Sequence, residues 1–160
     1  MKNFFPDAKY HLYAPNDEFR ALYIYTEDMK SNIAAFPEIA LIDGTYKIFR
    51  LGYTLVLITN IDGNGQTEIV VVFIMADETE ETFRWCLNRF KNENPTLSEG
   101  IKCIMADKDL AARDLLKELF ECPVYICIFH VEQIFNRTYT YNKMGVDKDT
   151  RIKCLKLVKK

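Results

Sequence analysis

The chain has 160 residues, 49% of them hydrophobic, with 21 Lys and Arg against 23 Asp and Glu. That size and apolar content predict one globular domain with its own core and exclude a disordered segment. A near-neutral, slightly acidic balance is a poor footprint for a stand-alone nucleic-acid binder, which usually carries a basic face.

The first residues, Met1-Lys2-Asn3-Phe4-Phe5-Pro6-Asp7, contain no apolar region long enough for a signal peptide. No stretch approaches the ~20 apolar residues of a membrane span, so a soluble intracellular protein is expected. Residues 1 to 18, with Pro6 and Pro15 and no clear period, read as an extended lead-in. Leu22-Tyr23-Ile24-Tyr25 fits a strand or a helix. Thr26 is placed to cap a helix through Ala35 with Met29, Ile33 and Phe36 on one side, and Pro37 ends it. Residues 1–36 are thus expected to be lead-in plus helix.

A first main strand is predicted over 39–49. Its run Ile39-Ala40-Leu41-Ile42 leads straight into Asp43-Gly44-Thr45. A fully apolar run reads as a strand buried on both faces, and a carboxylate beside it is costly unless a cation compensates it. Asp43 therefore either begins a tight Asp-Gly turn or holds a divalent metal. Thr45, Tyr46 and Lys47 continue the strand and read as structural. Thr54–Thr59 forms a second strand, Asp62-Gly63-Asn64-Gly65 a hairpin turn, and Ile69–Ala76 a third strand, which makes an antiparallel meander.

The period then changes. Asp77, with Glu80 three residues on, predicts a capping box, and Phe83, Cys86, Leu87 and Phe90 recur at helical spacing with Trp85 at the edge of that face. A fourth strand (101–106) ends at Asp107. It is followed by a helix over 109–120 that buries Ala112, Leu115, Leu116, Leu119 and Phe120 and that Asp109 can cap. Pro123 opens a fifth strand through Phe129, and after His130 the chain reads as helix over 131–141 and again over 149–159 with a break at Gly145. The closing Arg151, Lys153, Lys156, Lys159 and Lys160 read as a solvated helix face.

The order β-β-β-α-β-α-β-α describes an α/β fold, a mixed five-stranded sheet of order 3-2-1-4-5 with strand two antiparallel and helices on its faces. Right-handed crossovers place strand four parallel to strand one. Strand one then lies where the strand order reverses, the usual place for a site in open α/β sheets. Neighbouring strands are about 4.8 Å apart, so Asp43 and Asp107 are expected at one shared spot, where Mg²⁺ or Mn²⁺ would relieve their repulsion. The alternative for Asp107 is a helix cap, which Asp109 fills equally well.

The five cysteines, an odd number, predict reduced buried thiols, not a disulfide framework. Cys127 and His130 have metal-ligand spacing, but two ligands do not make a tetrahedral zinc site. Cys122 is a conceivable third ligand, and Cys154 or Cys103 a fourth. A buried cysteine and a helix-entry histidine explain the pair without metal, and zinc is not expected within this chain.

These residues resemble the RNase H-like catalytic core of Mutator-like element transposases, and more narrowly the version in the related SWIM-type zinc-finger proteins. The matching residues are Ile42-Asp43-Gly44-Thr45-Tyr46-Lys47, Phe73 to Phe90 with Glu78, Phe83, Trp85 and Leu87, Met105-Ala106-Asp107-Lys108-Asp109, and Cys127-Ile128-Phe129-His130. The resemblance implies an RNase H-like domain over 37–141 and a basic C-terminal helix over 142–160 as a truncated remainder of it. It implies that Asp43 and Asp107 are two of three metal-binding acids for DNA strand cleavage and transfer with two cations roughly 3.5–4 Å apart. Neither Glu132 nor Asp147 sits in a matching motif, so the third acid is unassigned, and the Cys-x-Cys…Cys-x-His pattern of a SWIM finger is absent. The resemblance thus predicts a fragment or derivative with incomplete catalysis. It also predicts nuclear residence and DNA contact chiefly through a longer parent protein.

Two other readings compete. One is a non-catalytic interaction module on the same fold. The other is a phosphatase of the haloacid dehalogenase type, since Asp43-Gly44-Thr45 matches the end of Asp-x-Asp-Gly-Thr. There, however, Leu41 stands in the nucleophile's place and the opening meander is the wrong topology.

Overall fold

The computed structural model describes residues 7–45, 52–95, 100–107 and 113–158. The chain forms two compact units, Met1–Tyr125 and Ile126–Lys160. The strands are β1 Lys9–Tyr13, β2 Ala21–Tyr25, β3 Ile39–Thr45, β4 Thr54–Ile61, β5 Thr67–Met75, β6 Cys103–Ala106 and β7 Val124–Ile126. The α-helices are α1 Glu27–Ala35, α2 Glu80–Glu93, α3 Arg113–Phe120, α4 Ile128–Thr138, α5 Tyr141–Met144 and α6 Lys148–Val158.

All seven strands form one sheet of order β1-β2-β5-β4-β3-β6-β7. The expected order of five is its β5-β4-β3-β6-β7 portion, with β4 antiparallel to β3 and β5, and β6 parallel to β3. Two strands extend it. The segment read as a lead-in forms β1, and Leu22–Tyr25 resolves as strand within β2. Five-residue strands give too short an alternation to read alone; the pairing of β2 with β5 and of β1 with β2 makes them visible.

Burial alternates strictly along β2 and β4, which period-two strands with one packed face require. Tyr23, Phe73, Val56, Ile58, Ala40, Ile42, Ile104 and Ala106 share one core cluster with Ile33 of α1, Phe83, Cys86, Leu87 and Phe90 of α2, and Leu115, Leu116 and Phe120 of α3. The alternate residues Leu22, Ile24, Leu41, Leu55, Leu57, Val72 and Ile74 are only half-buried. Asn60, fully buried on the core side of β4, donates through Nδ2 to the carbonyls of Asn32 and Phe36, both at 3.0 Å. It thereby satisfies the Phe36 carbonyl at the end of α1 and adds a second donor to the Asn32 carbonyl, which also accepts from the Phe36 amide at 3.1 Å.

Thr26 caps α1 as expected, its hydroxyl accepting from the Met29 amide at 3.2 Å. The start of α2 differs from expectation. Thr79 is the cap, accepting from the Thr82 amide at 3.3 Å, and Asp77 stands outside the helix. Asp77 instead accepts from the Thr79 amide and from the Thr79 and Thr82 hydroxyls, so it braces the cap. In the β4–β5 hairpin the Asp62 carboxylate accepts from the Asn64 and Gln66 amides, both at 2.8 Å, and Gly65 takes φ +78. That left-handed conformation favours glycine.

The fifth strand is shorter than expected. It ends at Ile126, and Cys127 is the N-cap of α4, so Ile128, Phe129 and His130 are helical. An apolar run does not distinguish strand from buried helix by period alone. The second unit is helical. The Arg151 guanidinium closes the end of α4 by donating to the carbonyls of Tyr139 at 2.7 Å and Asn136 at 3.1 Å.

Candidate metal centre

β3 and β6 bring the two predicted acids together by register. Ile39 to Ile42 pair in parallel with Cys103 to Ala106, and the last matched pair is Ile42 with Ala106. Asp43 and Asp107 are the next residues along these two neighbouring strands, which parallel geometry spaces about 4.8 Å apart. Ile42 and Ala106 are buried in the core while Asp43 is exposed and Asp107 half-buried, so the acids stand where the ladder leaves the core. Asp43 is not in a tight turn. It lies within β3, opposite Leu57 of β4.

The docking of β6 depends on a close approach. The Lys102 and Cys103 amides donate to the Glu38 carbonyl at 2.8 and 3.1 Å. A Cβ on Gly100 would stand 2.8 Å from the Pro37 Cβ, closer than carbon atoms pack, so only glycine lets this segment enter beside β3 unshifted.

Two carboxylates carried one step beyond a paired position would suit a hard cation that keeps much of its water, the usual manner of Mg²⁺ in proteins. Among the described residues no group of three or more His, Cys, Asp or Glu is gathered as a metal-binding cluster. Asp147 is used locally, its carboxylate accepting from the Thr150 amide and hydroxyl at 2.8 and 2.9 Å at the start of α6. Glu132 lies in α4. Cys127 and His130 sit on the first turn of α4, and no third ligand joins them among the described residues, so that pair does not meet the four-ligand demand of structural zinc. Tyr46, Lys47, Lys108 and Asp109 lie outside the described residues.

At the same end of the sheet, just beyond β5, stands an interaction with no signal in the sequence. Glu78 accepts from the Thr54 hydroxyl at 2.7 Å, tying the start of β4 to the approach of α2. Trp85, expected at the edge of its helix face, stacks on Tyr13 with centroids 5.0 Å apart. That contact accounts for the indole as packing.

A family profile described as zinc finger SWIM domain-containing protein 1/3, RNaseH-like domain, matches residues 3–124. The chain belongs to that family. The matched span begins near the start of β1 and ends at the first residue of β7, so the family's RNase H-like domain includes the two N-terminal strands. A search of curated proteins gives no match. Among solved structures the chain is similar to the HTLV-2 integrase catalytic core domain in complex with magnesium, in its dimeric form. Identity is 13% and the TM-score 0.35, over 74% of this chain and 82% of that one. Among the described residues of this SWIM-family domain, no helix is long and apolar enough to cross a membrane.

Proposed function

We propose that this RNase H-like domain descends from a Mutator-like transposase core, with divalent-metal-dependent DNA strand cleavage as its ancestral chemistry, and that Asp43 and Asp107 are its metal carboxylates. The observation that carries this reading is the register, in which both acids come one step beyond the paired Ile42 and Ala106 on adjacent parallel strands. A bound Mg²⁺ or Mn²⁺ would supply Lewis-acid activation of an attacking oxygen and stabilisation of a leaving one. Asp43 and Asp107 would hold and orient the cation, while buried Ile42 and Ala106 fix their backbones in the sheet. Nuclear residence, and DNA contact made mainly through a longer parent protein, belong to the same reading.

A second reading, a non-catalytic interaction module in a SWIM-type protein, is favoured by the near-neutral charge, with 21 basic against 23 acidic residues. Calorimetric titration with Mg²⁺ and Mn²⁺ tests the metal assignment. Binding to the native chain that weakens at least about tenfold, roughly 1.4 kcal/mol, in Asp43→Asn and in Asp107→Asn supports it. Absence of binding, or affinity unchanged by both substitutions, removes the metal centre and leaves the interaction module.

A further inference from the structure

β2 is only five residues long and pairs with Val72 to Met75 of β5 before the chain turns into α1. β4 continues along β5 down to Thr67. On the β2 side, among the described residues, no strand pairs with Thr67–Ile69, and these residues line an open cleft. The cleft, about 770 Å³, runs between this half-edge and the first turns of α1, with Met29 and Ile69 as its apolar surface. Ile69 is 41% exposed.

The polar lining has one dominant sign. Asp7, Glu27, Asp28 and Glu68 line the cleft with one cation, Lys9, and Lys9 is bound to Glu27. Among the described residues the carboxylates of Asp7, Asp28 and Glu68 have no hydrogen-bond or ion-pair partner. The dipole of α1 accounts for acids in its first turn, Glu27 and Asp28. It does not account for Asp7, ahead of β1, or Glu68, on β5. The cleft is also distinct from the aspartate pair, since Glu68 is level with Ala40 through Asn60 whereas Asp43 is level with Val72 through Leu57.

We propose that this cleft binds an extended basic segment of a partner protein, added as a short strand to the free half-edge of β5. Main-chain hydrogen bonds to Thr67–Ile69 would supply the register, as in strand addition to other sheet edges. Lysine or arginine side chains would meet Asp7, Asp28 and Glu68, and the alternate apolar side chains, on the opposite face of the added strand, would rest on Ile69. Alternation along the added strand matches this arrangement of charged and apolar partners.

The test uses the full chain and a fluorescein-labelled hexapeptide alternating lysine and valine, with anisotropy for affinity and amide NMR shifts for location. Controls are the peptide with glutamate for lysine, the peptide N-methylated at alternate amides, and the Asp28→Lys/Glu68→Lys protein, its fold checked by circular dichroism. Expected are shifts concentrated at Thr67–Val70 and Thr26–Met29, no binding of the glutamate peptide, and at least about fivefold weaker binding to the double variant. N-methylation is expected to abolish binding. Absence of binding, shifts centred elsewhere, or equal affinity for the N-methylated peptide overturns the proposal, the last because it leaves only charge attraction. Each result is independent of whether Asp43 and Asp107 hold a cation.

Discussion

Cys86 shows how far a single side chain can be taken from its solution chemistry. It is fully buried on α2, and burial first, then the nearby Asp77 carboxylate, pushes its thiol up to about 12. Thiolate, not thiol, is the nucleophile, so Cys86 is expected to be inert in the native protein. Alkylation with iodoacetamide at pH 7.4, followed by peptide mass spectrometry, should label the half-buried Cys103, Cys122, Cys127 and Cys154 well before Cys86. Labelling of Cys86 at the same rate would contradict the packing of α2 on the sheet. Helical spacing with Phe83, Leu87 and Phe90 already places this cysteine on a core face. Asp43 behaves differently, because its neighbours in sequence do not say whether it turns or stays in the strand. Only its pairing with Leu57 excludes the turn.

At the scale of elements, one cluster couples a strand to a helix start. Arg20, just before β2, donates to Asp77 at 2.9 Å, and Asp77 braces the Thr79 cap of α2. Burial pushes the Asp77 carboxyl up. The Thr79 hydroxyl, the Arg20 guanidinium, the Thr79 amide and the Thr82 hydroxyl outweigh it and hold the group well below the usual carboxylate range. A folded-state pKa below the unfolded value of about 3.9 stabilises the fold fully above about pH 5. That contribution is lost as pH falls below about 4 and through the folded-state pKa. Asp77→Asn is therefore expected to cost about 1–2 kcal/mol at pH 7, with the gap to the native chain closing below about pH 4. Urea unfolding at pH 7, 5 and 3.5 measures it, and a pH-independent gap would show that charge is not what braces the cap. The sequence suggested Asp77 as the cap itself. Thr79 holds that place because it is the residue immediately before Glu80, where its hydroxyl reaches the Thr82 amide.

For the whole molecule, the single core of the first unit takes in β2 together with the central strands β3 to β6. Phe73 is fully buried between Tyr23 of β2 and Val56 of β4 by register, and its ring lies 5.5 Å from that of Tyr23. Phe73→Ala is expected to cost about 3–5 kcal/mol, a large part of the 5–15 kcal/mol typical of a domain. Equilibrium urea unfolding followed by Tyr and Trp fluorescence measures it. A cost below about 1 kcal/mol would mean that β2 does not seal this face. β2 is thus part of the core through Ala21, Tyr23 and Tyr25, and β1 packs against that core through Tyr13.

Local pattern alone determined the meander, the amphipathic helices and the order of the central five strands, because apolar period and turn chemistry act over a few residues and crossover handedness is nearly invariant. It also determined that Asp43 and Asp107 end apolar runs on strands that lie side by side. Tertiary structure decided that β1 and β2 belong to the sheet, that β7 stops at Ile126, and that half of the β5 edge is open beside α1. Those outcomes depend on which distant backbone groups pair, and pairing partners leave no periodic trace in the residues that find them.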